Sequence, residues 1–465
     1  MLDRRGFFAA SACVAGLGVT RSAWAHAPAP SPAAVVALDA LRAGKTTTGG
    51  VLVAVRSGQV VALYPWGRAS LSYDVPVGEQ TLFHLGSNGK LMTSVAVFQL
   101  VEAGLVDIDD PIGAHVKDLP PVLAGVPIRN LLHHTSGLID YPDLLPDWDR
   151  AQTRETVIAA LKDVAVQFQP GESWQYSNTN YLLLGWLISD VSGRSYADYI
   201  QTRLFQPAGA PSARPDASQQ IIPNRAEPYS VGDEGIHHAV RMDDEVSRAA
   251  DGGVLFSARD VAPWRAALDA NRLISADSMS RIVAPGRLNS GRLAPYGCGV
   301  FLESSRGAAL WRHTGGVPGF VSNWMTWPQA DLSILAMVNS EGPGGVRLDD
   351  MITTLAESIQ PGLTWTGMAA AGDGTDARTR ALRGLLERPA GTPAPAGLLA
   401  TELAWRPQDR LPRFGGLETI VPLENWRVGA DPIEGEMTRY RLMRRGAQRD
   451  LVVAWTADDR LYWGV

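Results

Sequence analysis

The sequence predicts an α+β fold: an antiparallel sheet flanked by helices, interrupted by a helical insertion and followed by a small α+β module. Three observations predict it. β-rich runs flank Ser57-Gly58 in VLVAVRSGQVVALYPWGRA (51–69), which reads as a hairpin. From 84 to 270 the pattern is mostly helical, with long Pro/Gly-rich connections. Strand-like runs then return between 296 and 339 as GCGVFLE, FVSNWMTW and LSILAMVNS. One sheet is therefore split in sequence, and helical patterns at 34–43 (AVVALDALRA) and about 346–358 can cover one of its faces.

Composition bounds the class. The 465 residues are 45% hydrophobic and 19% charged, a globular mix far too apolar for disorder. Lys and Arg number 42 against 48 Asp and Glu, a formal charge of −6, so no basic surplus points to nucleic acid. The two cysteines, Cys13 and Cys298, exclude a disulfide framework and a Cys-based zinc site. After the N-terminus no apolar run reaches about 18 residues, so no stable transmembrane span is expected.

Residues 1–25 read as an export signal. Arg4-Arg5 precede a mildly apolar stretch, Ala9 to Val19, and Ala23-Trp24-Ala25 is an A-x-A cleavage pattern. The arginine pair favours a twin-arginine signal over a plain Sec signal, and either predicts a periplasmic or secreted protein. A mature chain of about 440 residues can bury enough surface to fold without disulfides. It divides into a domain at 26–360, with the helical insertion at about 90–270, a linker at 361–397 and a module at 398–465. The linker is rich in Gly, Ala, Thr and Pro and carries one short helix at about 376–387. Four strand-like runs (ETIVPLENWRV, EMTRYRLMRR, RDLVVAWTA, RLYWGV), with turns at Arg445-Gly446 and Asp458-Asp459, give the module an antiparallel sheet.

Three motifs carry chemistry. In Phe83-His84-Leu85-Gly86-Ser87-Asn88-Gly89-Lys90, followed by the apolar run LMTSVAVFQLVEAG, Ser87 and Lys90 stand at i and i+3 on one helical face. A serine at a helix N-terminus lies near free N–H groups, and a desolvated lysine one turn on can act as a base. Alone, the pair also suits an N-cap serine and a surface lysine. Second, Tyr176-Ser177-Asn178 precedes the apolar helix YLLLGWLI. A phenol near a lysine can have its pKa lowered and shuttle a proton, and the asparagine can bind a substrate amide. Otherwise Tyr176 is a structural turn residue. Third, His313-Thr314-Gly315-Gly316 lets backbone approach a substrate closely, or is simply a hairpin turn.

The order Ser-x-x-Lys, Tyr-x-Asn, His-Thr-Gly resembles the serine β-lactamase and penicillin-binding-protein superfamily, within it the class C β-lactamase-like group. Leu131 to Leu138 (LLHHTSGL), Asp109-Asp110-Pro111, Tyr176 to Gly185, Gly252-Gly253 and Gly315 to Phe320 match as well, so the resemblance covers about 34–358. It implies a β-lactamase/DD-peptidase-like fold with no metal and no cofactor. Ser87 resembles the acylated nucleophile, Lys90 its base, and Tyr176 the proton shuttle. The N–H groups of Ser87 and Gly316 resemble the oxyanion hole. Asn178, His313, Thr314 and Gly315 resemble substrate-binding positions. His313 departs from the lysine many β-lactamases carry there, replacing a permanent cation by one charged only in part near neutral pH.

The resemblance implies an exported serine hydrolase with an acyl-enzyme on Ser87 and a small peptide, ester or β-lactam as substrate. A D-amino-acid-containing peptide, as for a D-alanyl-D-alanine carboxypeptidase, ranks first. An esterase, a weak β-lactamase and an inert wall-peptide binding protein follow. His133, His134, His237 and His238 read as structural, without metal-ligand spacing. Trp174 and Trp311 border the motifs and can line the cleft, and the loops 139–155 and 205–250 are expected to shape it. The strands of the module at 398–465, and GEMTRYRLMRR with its charged alternate positions, resemble NTF2-like or cystatin-like tails; for the alternative, an eight-stranded lipocalin-like barrel, about 70 residues are too few.

Overall fold

A computed structural model describes residues 27–406, 411–429, 435–444 and 446–464. The export signal read at 1–25 and the Arg445 half of one expected turn lie outside the described residues. No helix among the described residues is long and apolar enough to cross a membrane.

Helix α1 (Pro32–Arg42) begins where Ser31 accepts the Ala34 N–H at 3.2 Å and Pro32 fills the first turn. Strands β1 (Gly49–Arg56) and β2 (Gln59–Ser70) make the hairpin around Ser57-Gly58, and the short β3 (Val75–Pro76) pairs beyond β2. The inserted region contains α2 (Lys90–Glu102), α3 (Asn178–Ser192) and α4 (Ala258–Asp269). The chain then returns through β4 (Phe301–Ser305), β5 (Ala308–Val317), β6 (Phe320–Trp327), β7 (Leu332–Val338) and α5 (Leu348–Ile359). All seven strands form one antiparallel sheet ordered β4-β5-β6-β7-β1-β2-β3, closed by β1 against β7 from Gly50–Val338 to Arg56–Leu332.

Alternation explains why this sheet joins segments so far apart. Val51, Val53 and Val55 face the helical region with Met92, Val95 and Leu335, whereas Leu52 and Ala54 face α1 and α5 with Leu38, Met351 and Leu355. Successive side chains of a strand point to opposite faces, so β1 must be apolar at every position when both faces are covered.

The structure refines the sequence reading in three places. His313-Thr314-Gly315-Gly316 is not a turn but the end of β5, paired with β6 from Trp311–Thr326 to Val317–Phe320. The turn falls at Pro318-Gly319, where Gly319 has φ +78°. Between 301 and 338 there are thus four strands rather than three. Second, the region 84–270 also holds small sheets, one containing Tyr229–Gly232 and Gly235–His238, the other Phe83–His84, Arg214–Pro215 and Val254–Phe256. Strands of two to four residues are too short for periodicity to register. Third, residues 361–376 form neither helix nor strand, yet Leu363 and Trp365 are buried against α5 and the sheet. This part of the expected linker is a packed connection.

Helix α6 (Ala377–Glu387) leads to β8 (Leu417–Arg427), β9 (Glu436–Arg444), β10 (Ala447–Trp455) and β11 (Leu461–Trp463), an antiparallel four-stranded sheet. Leu382, Leu385 and Leu386 of α6 pack on Ile420, Tyr440, Val453 and Trp455. This module is pinned to β4. The fully buried Arg439 guanidinium binds Glu424 Oε1 at 2.9 Å, Glu303 Oε2 at 2.9 Å and the Ser304 carbonyl at 2.8 Å, lying 3.7 Å over the Trp365 ring. Truncating one partner of a buried, hydrogen-bonded ion pair leaves the other charge uncompensated. Arg439→Ala should therefore lower stability by about 3–5 kcal/mol in urea unfolding. A loss below about 1 kcal/mol would show that Arg439 does not hold the module in place.

Candidate active site

Ser87 lies in a 3-10 turn, Gly86–Gly89, that runs directly into α2 rather than capping it as an N-terminal serine would. The turn depends on glycine. Gly86 has φ +54°, and a Cβ there would fall 2.7 Å from Gly316 N and 3.1 Å from Gly315 Cα. Across the contact, a Cβ on Gly315 would fall 1.9 Å from the Leu85 carbonyl oxygen. The end of β5 and the Ser87 turn thus pack backbone to backbone, bringing Gly316 N beside Gly86.

Lys90 follows one turn later, with no exposed surface. Its Nζ donates to Ser87 Oγ at 3.0 Å, Asn178 Oδ1 at 2.7 Å and the Asp251 carbonyl at 2.6 Å, satisfying all three N–H bonds. The ammonium also sits 4.9 Å from the Tyr176 ring centre and 5.6 Å from that of Tyr181. Burial lowers its pKa to about 8, against the opposing charges of Asp251 and Asp140.

Those two carboxylates were not found by sequence reasoning. Asp140 Oδ1 accepts the Asn178 N–H at 2.5 Å and its Oδ2 accepts Asn178 Nδ2 at 3.1 Å, which turns the amide oxygen of Asn178 toward Lys90. Burial pushes Asp140 up to about 6, although the Asn178 bonds and Lys90 oppose this. Asp251 receives the Tyr141 hydroxyl at 3.1 Å, and burial raises its pKa too. The available signals were their places in the sequence, Asp140 two residues after HHTSGL and Asp251 directly before Gly252-Gly253. Asn178, expected to bind substrate, has its amide engaged on both sides, leaving one N–H of Nδ2.

The Tyr176 phenol oxygen is buried and has no hydrogen-bond partner among the described residues. Burial pushes its pKa well above the usual phenol value, with the Ser87 hydroxyl opposing. The lowered phenol pKa expected beside a lysine is thus overturned, because desolvation of the phenolate outweighs the nearby cation. The His134 ring packs against that of Tyr176, tilted by 39° at 4.3 Å between centres, and its Nδ1 accepts from Asn180 Nδ2 at 2.9 Å and the Ser177 N–H at 3.3 Å.

His313 also departs from expectation. It is buried, with Nδ1 2.6 Å from the Thr314 carbonyl and Nε2 3.0 Å from the Tyr296 hydroxyl. Nδ1 therefore donates to the carbonyl, and in the neutral ring Nε2 accepts from the Tyr296 hydroxyl. Burial and the Lys90 charge lower its pKa to about 3, so it supplies no cation to a substrate near neutral pH. Gly315 is buried, whereas Thr314 and Gly316 are exposed. His237 and His238 lie on an exposed hairpin, where His238 stacks on Tyr229.

Tyr176 and Thr314 open onto a cleft of about 450 Å³. Trp174 and Phe301 line it on the sheet side, and Leu403, Arg406, Leu451, Val452 and Trp463 of the C-terminal module roof it. None of its lining residues comes from 205–250, whereas Asp140 reaches the site from the 139–155 loop. Trp311 lines a separate cavity on the other side of β5.

A sequence model of the Beta-lactamase family matches residues 37–357. Penicillin-binding protein 4* of Bacillus subtilis is 29% identical over 310 residues, covering 63% of this chain and 68% of that protein. A D-aminopeptidase of Gluconobacter oxydans is 27% identical over 311 residues, covering 65% of this chain and 58% of its own. The chain therefore spans little more than half the length of that relative. Among solved structures, the D-amino acid amidase from Ochrobactrum anthropi complexed with L-phenylalanine amide shares the fold with a TM-score of 0.61 at 24% identity, covering 70% of this chain and 99% of its own. The octameric penicillin-binding protein homologue from Pyrococcus abyssi has a TM-score of 0.60 at 20% identity and covers 92% of this chain and 93% of its own. That likeness of fold reaches into the C-terminal module.

The ionisation of Lys90 is open to direct measurement. Its side chain should titrate near pH 8 in NMR spectra of ¹³C-labelled lysine. Asp140→Asn removes a negative charge that holds this pKa up, so the midpoint should move lower. An unmoved or higher midpoint would contradict the assigned coupling.

Proposed function

The chain belongs to the beta-lactamase family, and from that membership we propose that it is a serine hydrolase that forms an acyl-enzyme on Ser87. The observation that carries this reading is the buried Lys90 amine 3.0 Å from Ser87 Oγ, with a pKa of about 8. An amine in that range is substantially neutral at mildly alkaline pH and strong enough to accept a hydroxyl proton.

In the proposed reaction Ser87 Oγ attacks the substrate carbonyl while Lys90 Nζ takes the hydroxyl proton. Negative charge developing on the carbonyl oxygen is met by the N–H groups of Ser87 and Gly316, whose closeness follows from the Gly86–Gly315 contact. Tyr176, a neutral phenol, gives its proton to the departing nitrogen or oxygen and is reprotonated from Lys90. Water then attacks the ester with the proton transfers reversed, releasing acid and restoring Ser87. Asn178 and Asp140 position Lys90.

The substrate proposed is a D-amino-acid-containing peptide or small amide. Relatives named D-aminopeptidase and D-amino acid amidase support that class, and a roofed cleft of about 450 Å³ suits a small molecule. The neutral His313 weighs against efficient β-lactam turnover, which uses a cation at that place. The paired arginines and A-x-A pattern in residues 1–25 support export by a twin-arginine route.

Intact-protein mass spectrometry with a D-alanine ester and a D-phenylalanine amide tests the reading. A transient acyl adduct should map to Ser87, and Ser87→Ala should abolish it and lower turnover by about 10³-fold or more. Acylation should rise about tenfold per pH unit below pH 8 and level off above it, as neutral Lys90 accumulates. Full activity in Ser87→Ala, or a flat pH profile, would refute the assignment.

A further inference from the structure

We propose that His84 is a positioning residue of the reaction: as a neutral ring it holds the Leu85–Gly86 peptide and so aims the Ser87 N–H, the oxyanion donor that follows. The role rests on the serine-hydrolase reading and adds a group that the Ser-x-x-Lys pattern does not contain.

His84 ends the short strand Phe83–His84 and is buried. Its Nδ1 accepts the Gly86 N–H at 3.0 Å, and its Nε2 lies 3.0 Å from the Ser247 carbonyl oxygen. Both partners are backbone groups with one role each. A carbonyl only accepts and an amide N–H only donates, so the ring carries its proton on Nε2 and keeps Nδ1 bare. Asp216 Oδ2 is 3.8 Å from Nε2, but Arg225 engages that carboxylate at 2.9 Å, and Asp251 is the other acid acting on the ring. Burial lowers the pKa of His84 against the pull of Asp216, which favours the neutral form that the two bonds require.

The peptide bonded to His84 is held at its other edge too. Ser322 Oγ, on β6, donates to the Leu85 carbonyl at 2.6 Å and accepts from Asn88 Nδ2 at 2.8 Å. A peptide unit is planar, so a side chain on each edge fixes its orientation. The next peptide carries the Ser87 N–H, and its direction follows from the two dihedrals of Gly86, a residue with no side chain to restrict them. Contacts restrict them instead. Gly315 and Gly316 close one side, and on another a Cβ on Gly252 would fall 2.6 Å from the Gly86 carbonyl carbon. Through Nε2 the same ring ties this turn to Ser247, four residues before the Asp251 carbonyl that accepts from Lys90. One imidazole thus joins the oxyanion turn to the segment that holds the base. Donors aimed at developing charge are effective when they are in place before the charge forms.

The test compares His84→Asn, whose Oδ1 stands in for the Nδ1 acceptor, with His84→Gln, whose side-chain amide stands in for Nε2 only. Thermal melting first establishes that both variants fold. The readouts are kcat and KM on D-phenylalanine amide and the affinity of phenylboronic acid, which adds Ser87 Oγ as a tetrahedral anion and does not depend on the substrate class. His84→Gln should lower kcat about 10–100-fold and weaken the boronic acid by a similar factor, with KM within about twofold, whereas His84→Asn should stay within about threefold of the unaltered protein. In ¹⁵N spectra of the unaltered protein the His84 ring should carry its proton on Nε2, a reading that needs no variant. Equal losses with Asn and Gln, full activity with Gln, a loss confined to KM, or a proton on Nδ1 would each overturn the proposal. Where the amide is not hydrolysed, the boronic acid series alone decides. A boronic acid that does not add to Ser87 of the unaltered protein would instead overturn the hydrolase reading, and this role with it.

Discussion

A lysine ammonium withdrawn from water is the constraint on which the site is built. Removing such an ion from solvent costs several kcal/mol even after relaxation, unless its donors are satisfied. The three acceptors for Lys90 come from three distant parts of the chain, at Ser87, Asn178 and Asp251. Holding them together requires α2, the start of α3 and the segment before Gly252 to meet at one point, and the faces of Tyr176 and Tyr181 add cation–π attraction. The compensation is incomplete, which is why the amine titrates near 8 rather than in the usual lysine range.

The same low-dielectric environment acts on every titratable group around it. It raises the Tyr176 phenol, lowers His134 and His313, and lifts Asp140 toward 6. Each shift favours the uncharged form. The site thus keeps its tyrosine and histidines neutral and concentrates charge on Lys90 and two carboxylates. In the reaction proposed above, proton transfer between Ser87, Lys90 and Tyr176 would need little reorganisation of surrounding water.

The C-terminal sheet is part of this environment rather than an appendage. Trp174, Phe301, Tyr462 and Trp463 form an apolar seam with Leu288 and Ala294, and the Tyr462 hydroxyl donates to the Leu293 carbonyl at 3.0 Å. With Arg439 pinned between Glu303 and Glu424, the seam holds β10 and β11 over the cleft.

The family and the fold class were legible in the sequence because their signals are local and ordered. A serine and a lysine three residues apart in a helical turn must share a face, whatever surrounds them. The unbroken apolar run of β1 and the return of strand patterns near 300 similarly point to one sheet built from both ends of the domain. Sequence left the glycines of β5 open between a strand end and a turn, and the pairing with β6 decides for the strand, where the Leu85 carbonyl leaves no room for a side chain on Gly315. Tertiary structure alone decided the protonation states, because desolvation depends on atoms hundreds of residues away. It also brought Asp140 and Asp251 to Lys90 and made His313 a neutral internal bond. None of these carries a local pattern, since charge and burial are properties of the packed chain rather than of its sequence neighbours.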